Sequence, residues 1–252
     1  IPVISFSQKE TSETMNNEPI CFWINFPPIA LRSKEGLALL NGTQFMSSYA
    51  SYAVANSIKL WNQFNLIGAL SLEAYDGRLN PFQSNVNEIR DQLGQIESAK
   101  TVYSSLQGSE MIVRHKEHVQ DPYSFRCIPQ VHGAVSETLQ RLNDVVHTEL
   151  NSATDNPLIF PDISNPGRHE IVSQGNFHGE ILALTADAMS LSLFEIASIS
   201  ERRIDQMLDP NRLAIKPFLA EDAGLESGLM IVQYSAGASL GELHGHASPR
   251  TS

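Results

Sequence analysis

The sequence predicts an all-α fold, a bundle of long helices, and three observations carry that expectation. From residue 36 onward apolar residues recur at spacings of three and four, the period of a helix with one buried face. Strand-like alternation is confined to Leu158–Phe160. Turn signals are few and concentrated in "DGRLNP", "PDISNPGR" and "LDPNRL", which leaves long uninterrupted segments between them. Residues 1–35 form an irregular N-terminal segment, because Pro2, Pro19, Pro27 and Pro28 break any helical pattern there. Residues 36–252 form the helical-bundle domain, with no linker-like tract and no internal repeat of a solenoid's length.

The elements follow in order. Helices are expected at about Thr43–Tyr75 and Asn85–Leu106. In "PQVHGAVSETLQRLNDVVHTEL" the residues Val131, Val135, Leu139, Leu142, Val146 and Leu150 share one stripe, so an amphipathic helix runs there and ends at Asn151. The segment Gly179–Arg203 is apolar or small on almost every side until Glu201. Such a helix belongs in the middle of a bundle or beneath another subunit. A last helix is expected at about Glu226–Leu243.

Composition narrows the function. With 252 residues and 42% hydrophobic content the chain can bury a sizeable core. A formal charge of -11 argues against nucleic-acid and anionic-membrane partners, which need a basic face. A small soluble ligand or another protein is the expected partner. Cys21 and Cys127 are the only cysteines and read as reduced thiols of a cytoplasmic protein. The N-terminus lacks the basic region and apolar run of a signal peptide, and apolar stretches elsewhere read as too interrupted to span a bilayer. The first residue is Ile1 rather than Met, which suggests a processed or incomplete chain.

Three polar stretches interrupt the helical pattern at helix boundaries: "LLNGTQ" (Leu39–Gln44), "VQDPYSFRCIPQVHG" (Val119–Gly133) and "SQGNFHGE" (Ser173–Glu180). Taken singly, each reads first as helix capping. The second resists that reading. Pro122 fixes the backbone ahead of Tyr123, and in a helical turn Tyr123 and Arg126, three apart, project to one side. A guanidinium offers a planar fork for a carboxylate, and a phenol can exchange a proton with a neighbour. The bland alternative is a buried Arg126 paired with Asp121. His115 with His118, and His244 with His246, match no metal framework and read as surface histidines; no metal is expected. His178 follows Asn176 and Phe177 at a helix start and is less easily dismissed. "GASLG" (Gly237–Gly241) is a small-xxx-small spacing that lets helices approach closely. Cys127 beside Arg126 is either a thiol of lowered pKa or a buried inert one.

Read together, "KEGLALLNGTQ", "VQDPYSFRCIPQVHG", "ELNSATDNPLIF", "GNFHGE" and "ISERRI" occur in this order in the histidine and aromatic amino acid ammonia-lyases. The chain resembles that family from about Ile29 to its end, and is most similar to the histidine enzymes. The resemblance implies the ammonia-lyase helical bundle and the non-oxidative elimination of ammonia from an α-amino acid. It also implies a methylidene-imidazolone electrophile built from an Ala-Ser-Gly tripeptide, with no metal. Carried over by position, Arg126 resembles the clamp for the substrate carboxylate. Tyr123 and Asn41 resemble groups that hydrogen-bond the electrophile or carboxylate, Gln120 a nearby amide, and Phe177 a side chain packed near electrophile and substrate.

Ala-Ser-Gly occurs nowhere in the 252 residues, and the nearest string is Ala238-Ser239-Leu240. In the family the tripeptide lies upstream of the "KEGLALLNGT" stretch, so it is expected before Ile1, with the N-terminal tyrosine and substrate-selecting histidine. A C-terminal "Q-E-D" stretch is expected after Ser252. The chain alone is therefore expected to be inactive. The family implies a homo-oligomer, a tetramer whose sites combine several subunits, here with an N-terminal partner fragment as a further expectation. Histidine converted to urocanate is the leading reading. A phenylalanine or tyrosine lyase, an aminomutase, and a non-catalytic helical scaffold or ligand-binding paralogue stay open beside it.

Overall fold

A computed structural model describes residues 29–211 and 215–251; its architecture is all-α. The chain divides into two compact units between Leu40 and Asn41. In the first unit α1 (Glu35–Leu40) opens with the Arg32 amide donating to the Glu35 carboxylate at 2.7 Å, a local cap for an otherwise orphaned helix start.

The second unit is built around α2 (Gln44–Ala74), α3 (Ser84–Glu88), α4 (Leu93–Ser105), α5 (Tyr123–Arg126), α6 (Ile128–Leu150), α7 (Glu180–Leu208) and α8 (Met230–His246). The central helix is α6, which packs against α2, α4 and α7, while α8 packs on α7. A hairpin of β1 (Leu158–Pro161) and β2 (His169–Val172), antiparallel with Leu158 opposite Val172, joins α6 to α7. The single predicted strand thus has a partner that its sequence, "HEIV", did not announce.

The expected stripe on α6 is real in its middle: Val135, Leu139, Leu142 and Val146 are buried, whereas Leu150 is 56% exposed. The expected helix Asn85–Leu106 is broken. Asp91 takes φ 55°, and the buried Asn87 amide donates to the carbonyls of Pro81 and Gln83 while accepting from Gln95. Those bonds hold the chain folded back on itself between α3 and α4.

The α7 helix exceeds the sequence reading, since by length and composition it is apolar enough to cross a membrane. In the bundle Leu182, Met189, Ile196 and Ile199 are buried, as are Glu201 and Arg203, while Ile181, Leu184 and Leu191 on other sides stay exposed.

The core has two apolar clusters. One gathers Val54, Trp61, Val135, Leu139, Leu142, Val146, Leu182, Met189 and Ile196. The other gathers Ala69, Leu72, Tyr75, Phe82, Val102, Leu106, Ile112, Phe125 and Ile128. Between them along α2 and α6 stand the buried polar residues Asn65 and His132.

Candidate active site

The Tyr123–Arg126 stretch forms the short helix α5, with the Arg126 and Cys127 amides bonded back to the carbonyls of Pro122 and Tyr123. It is helical, as the spacing required, so Tyr123 and Arg126 share a side and the guanidinium carbon lies 4.6 Å from the phenol ring centroid. Tyr123 is 71% exposed. Below the turn, Phe125 is fully buried and stacks on Tyr75 at 4.1 Å, which seats the turn on the core.

Gln120, Tyr123 and Arg126 line one cleft of about 560 Å³ with Asp121, Ser124, Arg202 and Gln206. Three polar atoms along it, Ser124 Oγ, Arg126 Nε and Gln206 Oε1, are buried without a partner among the described residues. Unpaired buried polar atoms are uncommon in native structures, and three of them gather along this cleft.

The bland pairing of Arg126 with Asp121 does not form. Asp121 is 3% exposed and accepts instead from the Arg78 amide at 2.7 Å and contacts His118 Nε2 at 2.7 Å. Arg78 also donates to the carbonyls of Lys116 and His118. Asp121 is therefore the brace that fastens the segment before Tyr123 to the end of α2, and His118, read as a free surface histidine, belongs to that brace. Burial raises the Cys127 thiol above its usual range, against a smaller opposing effect of the Arg126 charge; the side chain is half-buried.

Beneath the cleft lies a polar layer. Arg203, 2% exposed, donates to the Ser200 hydroxyl at 2.8 Å and the Ser124 carbonyl at 3.4 Å, and approaches His132 Nε2 at 3.5 Å. Because arginine only donates, His132 Nε2 carries the lone pair. Its Nδ1–H then donates to Asn65 Oδ1 at 3.1 Å, which also accepts from Ser98 at 2.7 Å. Burial, and secondarily the Arg203 charge, lowers the His132 pKa to about 3, so the ring is neutral. Burial likewise lowers the Arg203 pKa, to about 10.

The other two polar stretches meet at the opposite end of α6. The Thr43 amide donates to Thr154 Oγ1 at 3.2 Å and its hydroxyl to the Glu149 carboxylate at 2.6 Å. Gln174 bonds Asn156 and the Asp155 carbonyl at 2.9 and 2.6 Å. A Cβ on Gly42, at φ +88°, would meet Thr154 atoms at 2.7 and 2.9 Å, so glycine is required where the chain turns into α2. Asn41, half-buried, precedes this knot, and Phe177, 45% exposed, lies in the segment leading to α7. At about 1.5 Å per residue, the 23 residues of α6 hold the two ends roughly 33 Å apart. One copy of the chain therefore brings Gln120, Tyr123 and Arg126 together, and leaves Asn41 and Phe177 outside their cleft.

Sequence reasoning missed Arg202 and Gln206 in the cleft and the layer of His132, Asn65, Ser98 and Arg203. A signal existed for one of them, since His132 lies three residues before Val135 and seven before Leu139, on the buried stripe.

The sequence and the fold have known counterparts. The sequence matches the family described as Aromatic amino acid lyase over residues 9–252. The chain belongs to that family. Among curated aromatic amino acid lyases, it is 45% identical over 231 residues to a histidine ammonia-lyase of Caldanaerobacter subterraneus subsp. tengcongensis, covering 91% of this chain and 44% of the relative. It is 42% identical to that of Alkaliphilus metalliredigens, covering 86% and 42%. The structure of histidine ammonia-lyase from Trypanosoma cruzi matches with a TM-score of 0.79 at 35% identity, over 91% of this chain and 42% of that one. A tyrosine aminomutase from Streptomyces globisporus matches at 0.82 and 32%, over 90% and 46%. The chain thus spans less than half the length of the lyases and mutases it matches.

Proposed function

We propose that this chain is the clamp-bearing portion of an amino acid ammonia-lyase that converts histidine to urocanate and ammonia. The observation that carries the proposal is the cleft in which Arg126 and Tyr123 share one helical face, with the Arg126 Nε unpartnered inside it. Identities of 45% and 42% to histidine ammonia-lyases favour histidine over other amino acids.

Arg126 orients the substrate by gripping its carboxylate as a fork. Tyr123 offers its phenol as a hydrogen-bond partner to the substrate carboxylate or the electrophile, and Gln120 supplies an amide in the same cleft. Ala238-Ser239-Leu240, the nearest string to the family's tripeptide, lies inside α8, and a helical backbone with leucine in third place does not fit the cyclisation. The unpartnered Ser124 Oγ, Arg126 Nε and Gln206 Oε1 do fit a polar group delivered to the cleft by another segment. Formed on such a segment, a methylidene-imidazolone would supply the electron withdrawal that makes the substrate's β-proton removable.

The site is shared between copies in a homotetramer, which lets Asn41 and Phe177 of one chain approach Arg126 of another, although within one chain they stand towards opposite ends of α6. This chain by itself is inactive, and the oligomer works in the cytoplasm with its thiols reduced.

The test is histidine deamination by the full-length protein carrying this chain, followed by the ultraviolet absorbance of urocanate. Arg126→Met and Asn41→Ala are each expected to lose activity by about 100-fold or more. Mixed oligomers of the two variants are expected to recover a fraction of wild-type activity, because some sites combine two intact contributions. An active wild type whose mixtures recover nothing would refute the shared site. A β-amino acid product in place of urocanate would favour the aminomutase reading.

A further inference from the structure

We propose that Arg203 is a positioning residue for the cleft: its buried guanidinium holds the Ser124 carbonyl, and through it the turn that carries Tyr123 and Arg126. The inference rests on the reading of that cleft as a carboxylate clamp.

Arg203 is the largest fully buried side chain among the described residues, and no carboxylate there pairs with it. The acids of the surrounding elements are turned elsewhere. Glu201 is bound by Arg202, Asp205 accepts from Gln233 at 2.7 Å, and Asp121 is held by His118 and Arg78. Taking an unpaired charge out of water opposes folding strongly, and an apolar side chain of similar volume is often as stable or more so. Stability alone therefore gives little reason for arginine at this position.

What the guanidinium touches gives the reason. Its contacts fall on Ser124 in α5, His132 in α6 and Ser200 in α7. A planar guanidinium presents its donors in fixed directions to these three groups, whereas a lysine ammonium is a compact point charge on a flexible stem. His132 accepts in its neutral form because Asn65 and Ser98, from α2 and α4, fix its other nitrogen as the donor. Four long helices thereby set the height and orientation of one carbonyl in a four-residue turn. The side chains on either side of that carbonyl lack such anchors: Tyr123 is exposed and Arg126 Nε has no partner. Their aim follows from the backbone, and an error of about 1 Å in aim can cost about 100-fold in rate.

The experiment compares Arg203→Lys, Arg203→Met and the core control Val135→Ala in the full-length protein, with labelling read on the Cys127 peptide by mass spectrometry. Histidine kinetics, melting temperature and the rate of Cys127 labelling by an aromatic disulfide are read for each. Both Arg203 variants are expected to raise KM and lower kcat/KM by about 30-fold, with Arg203→Met melting no lower than wild type. Cys127, next to the released turn, is expected to label about fivefold faster in both, through local opening. Val135→Ala is expected to melt lower with KM and labelling unchanged. If the Arg203 variants melt lower and KM does not move, Arg203 is merely structural and the inference is wrong. Faster labelling without any change in KM also overturns it. Should the wild type release no urocanate, the lyase reading fails; faster labelling then upholds Arg203 as the anchor of the turn, and unchanged labelling overturns the anchor as well.

Discussion

At the residue scale, His132 converts burial into a pH dependence. Its ring is fully buried and accepts from a cation on one side, so protonation must wait until about pH 3 against an ordinary 6.5. An unfolded chain takes up that proton near pH 6.5. Between these values the unfolded state binds the extra proton, so stability is fully present above pH 6.5 and falls by about 1.4 kcal/mol per pH unit as pH drops towards 3. Thermal melts of the protein across that window should show the slope, and His132→Asn should remove most of it; an unchanged slope would assign the acid sensitivity to other groups. The role of His132 was half legible in the sequence. Its position on the apolar stripe forecasts burial, but the partners Asn65, Ser98 and Arg203 come from distant elements, and nothing local announces them. Arg126 and Tyr123 were legible because their relation depends only on one helical turn.

At the element scale, the crossing of α4 and α6 depends on the absence of two side chains. A Cβ on Gly133 would come within 2.3 Å of the Gln95 amide nitrogen, and one on Gly94 within 2.2 Å of the Gly133 carbonyl. Backbone cannot yield as a flexible side chain does, so Gly133→Ala should force the helices apart despite alanine's better helix propensity. The expected loss is about 1–3 kcal/mol, read as a lower urea midpoint with activity per folded site retained. A neutral or stabilising result would show that the crossing relaxes freely. Helix existence was legible from the period of three and four, whereas the break between α3 and α4 was not. It rests on the Asn87 amide bonding to Pro81, Gln83 and Gln95, a network that a pattern of apolar residues does not encode.

At the scale of the whole molecule, the apolar surplus that the sequence assigns to α7 is only partly covered, and α8 adds to it. Ile231, Val232, Tyr234 and Leu243 of α8 are exposed, and open space surrounds the built Cβ positions of Gly237, Gly241 and Gly245. The spacing "GASLG" forecast a close helix approach, and no described residue makes it. A sequence shows that apolar surface is in excess, but which side the chain covers itself is decided by packing. A surface of this kind calls for a cover, and the proposed oligomer supplies one. Gly241→Glu should therefore yield a smaller species by light scattering with helix content unchanged, while a particle of wild-type mass would remove α8 from the interface.

The polar layer has one more effect on the molecule as a material. Asn65 and His132 interrupt the apolar interior between the cluster that includes Phe125 and Ile128 and the one that includes Leu139 and Leu182. Residues that share no partner contribute to stability independently. Substitutions deep in one cluster and deep in the other are therefore expected to add in their effects on stability. One cluster can be repacked and made firmer in the region away from the clamp, while the compliance of the region beneath Tyr123 and Arg126 is left as it was.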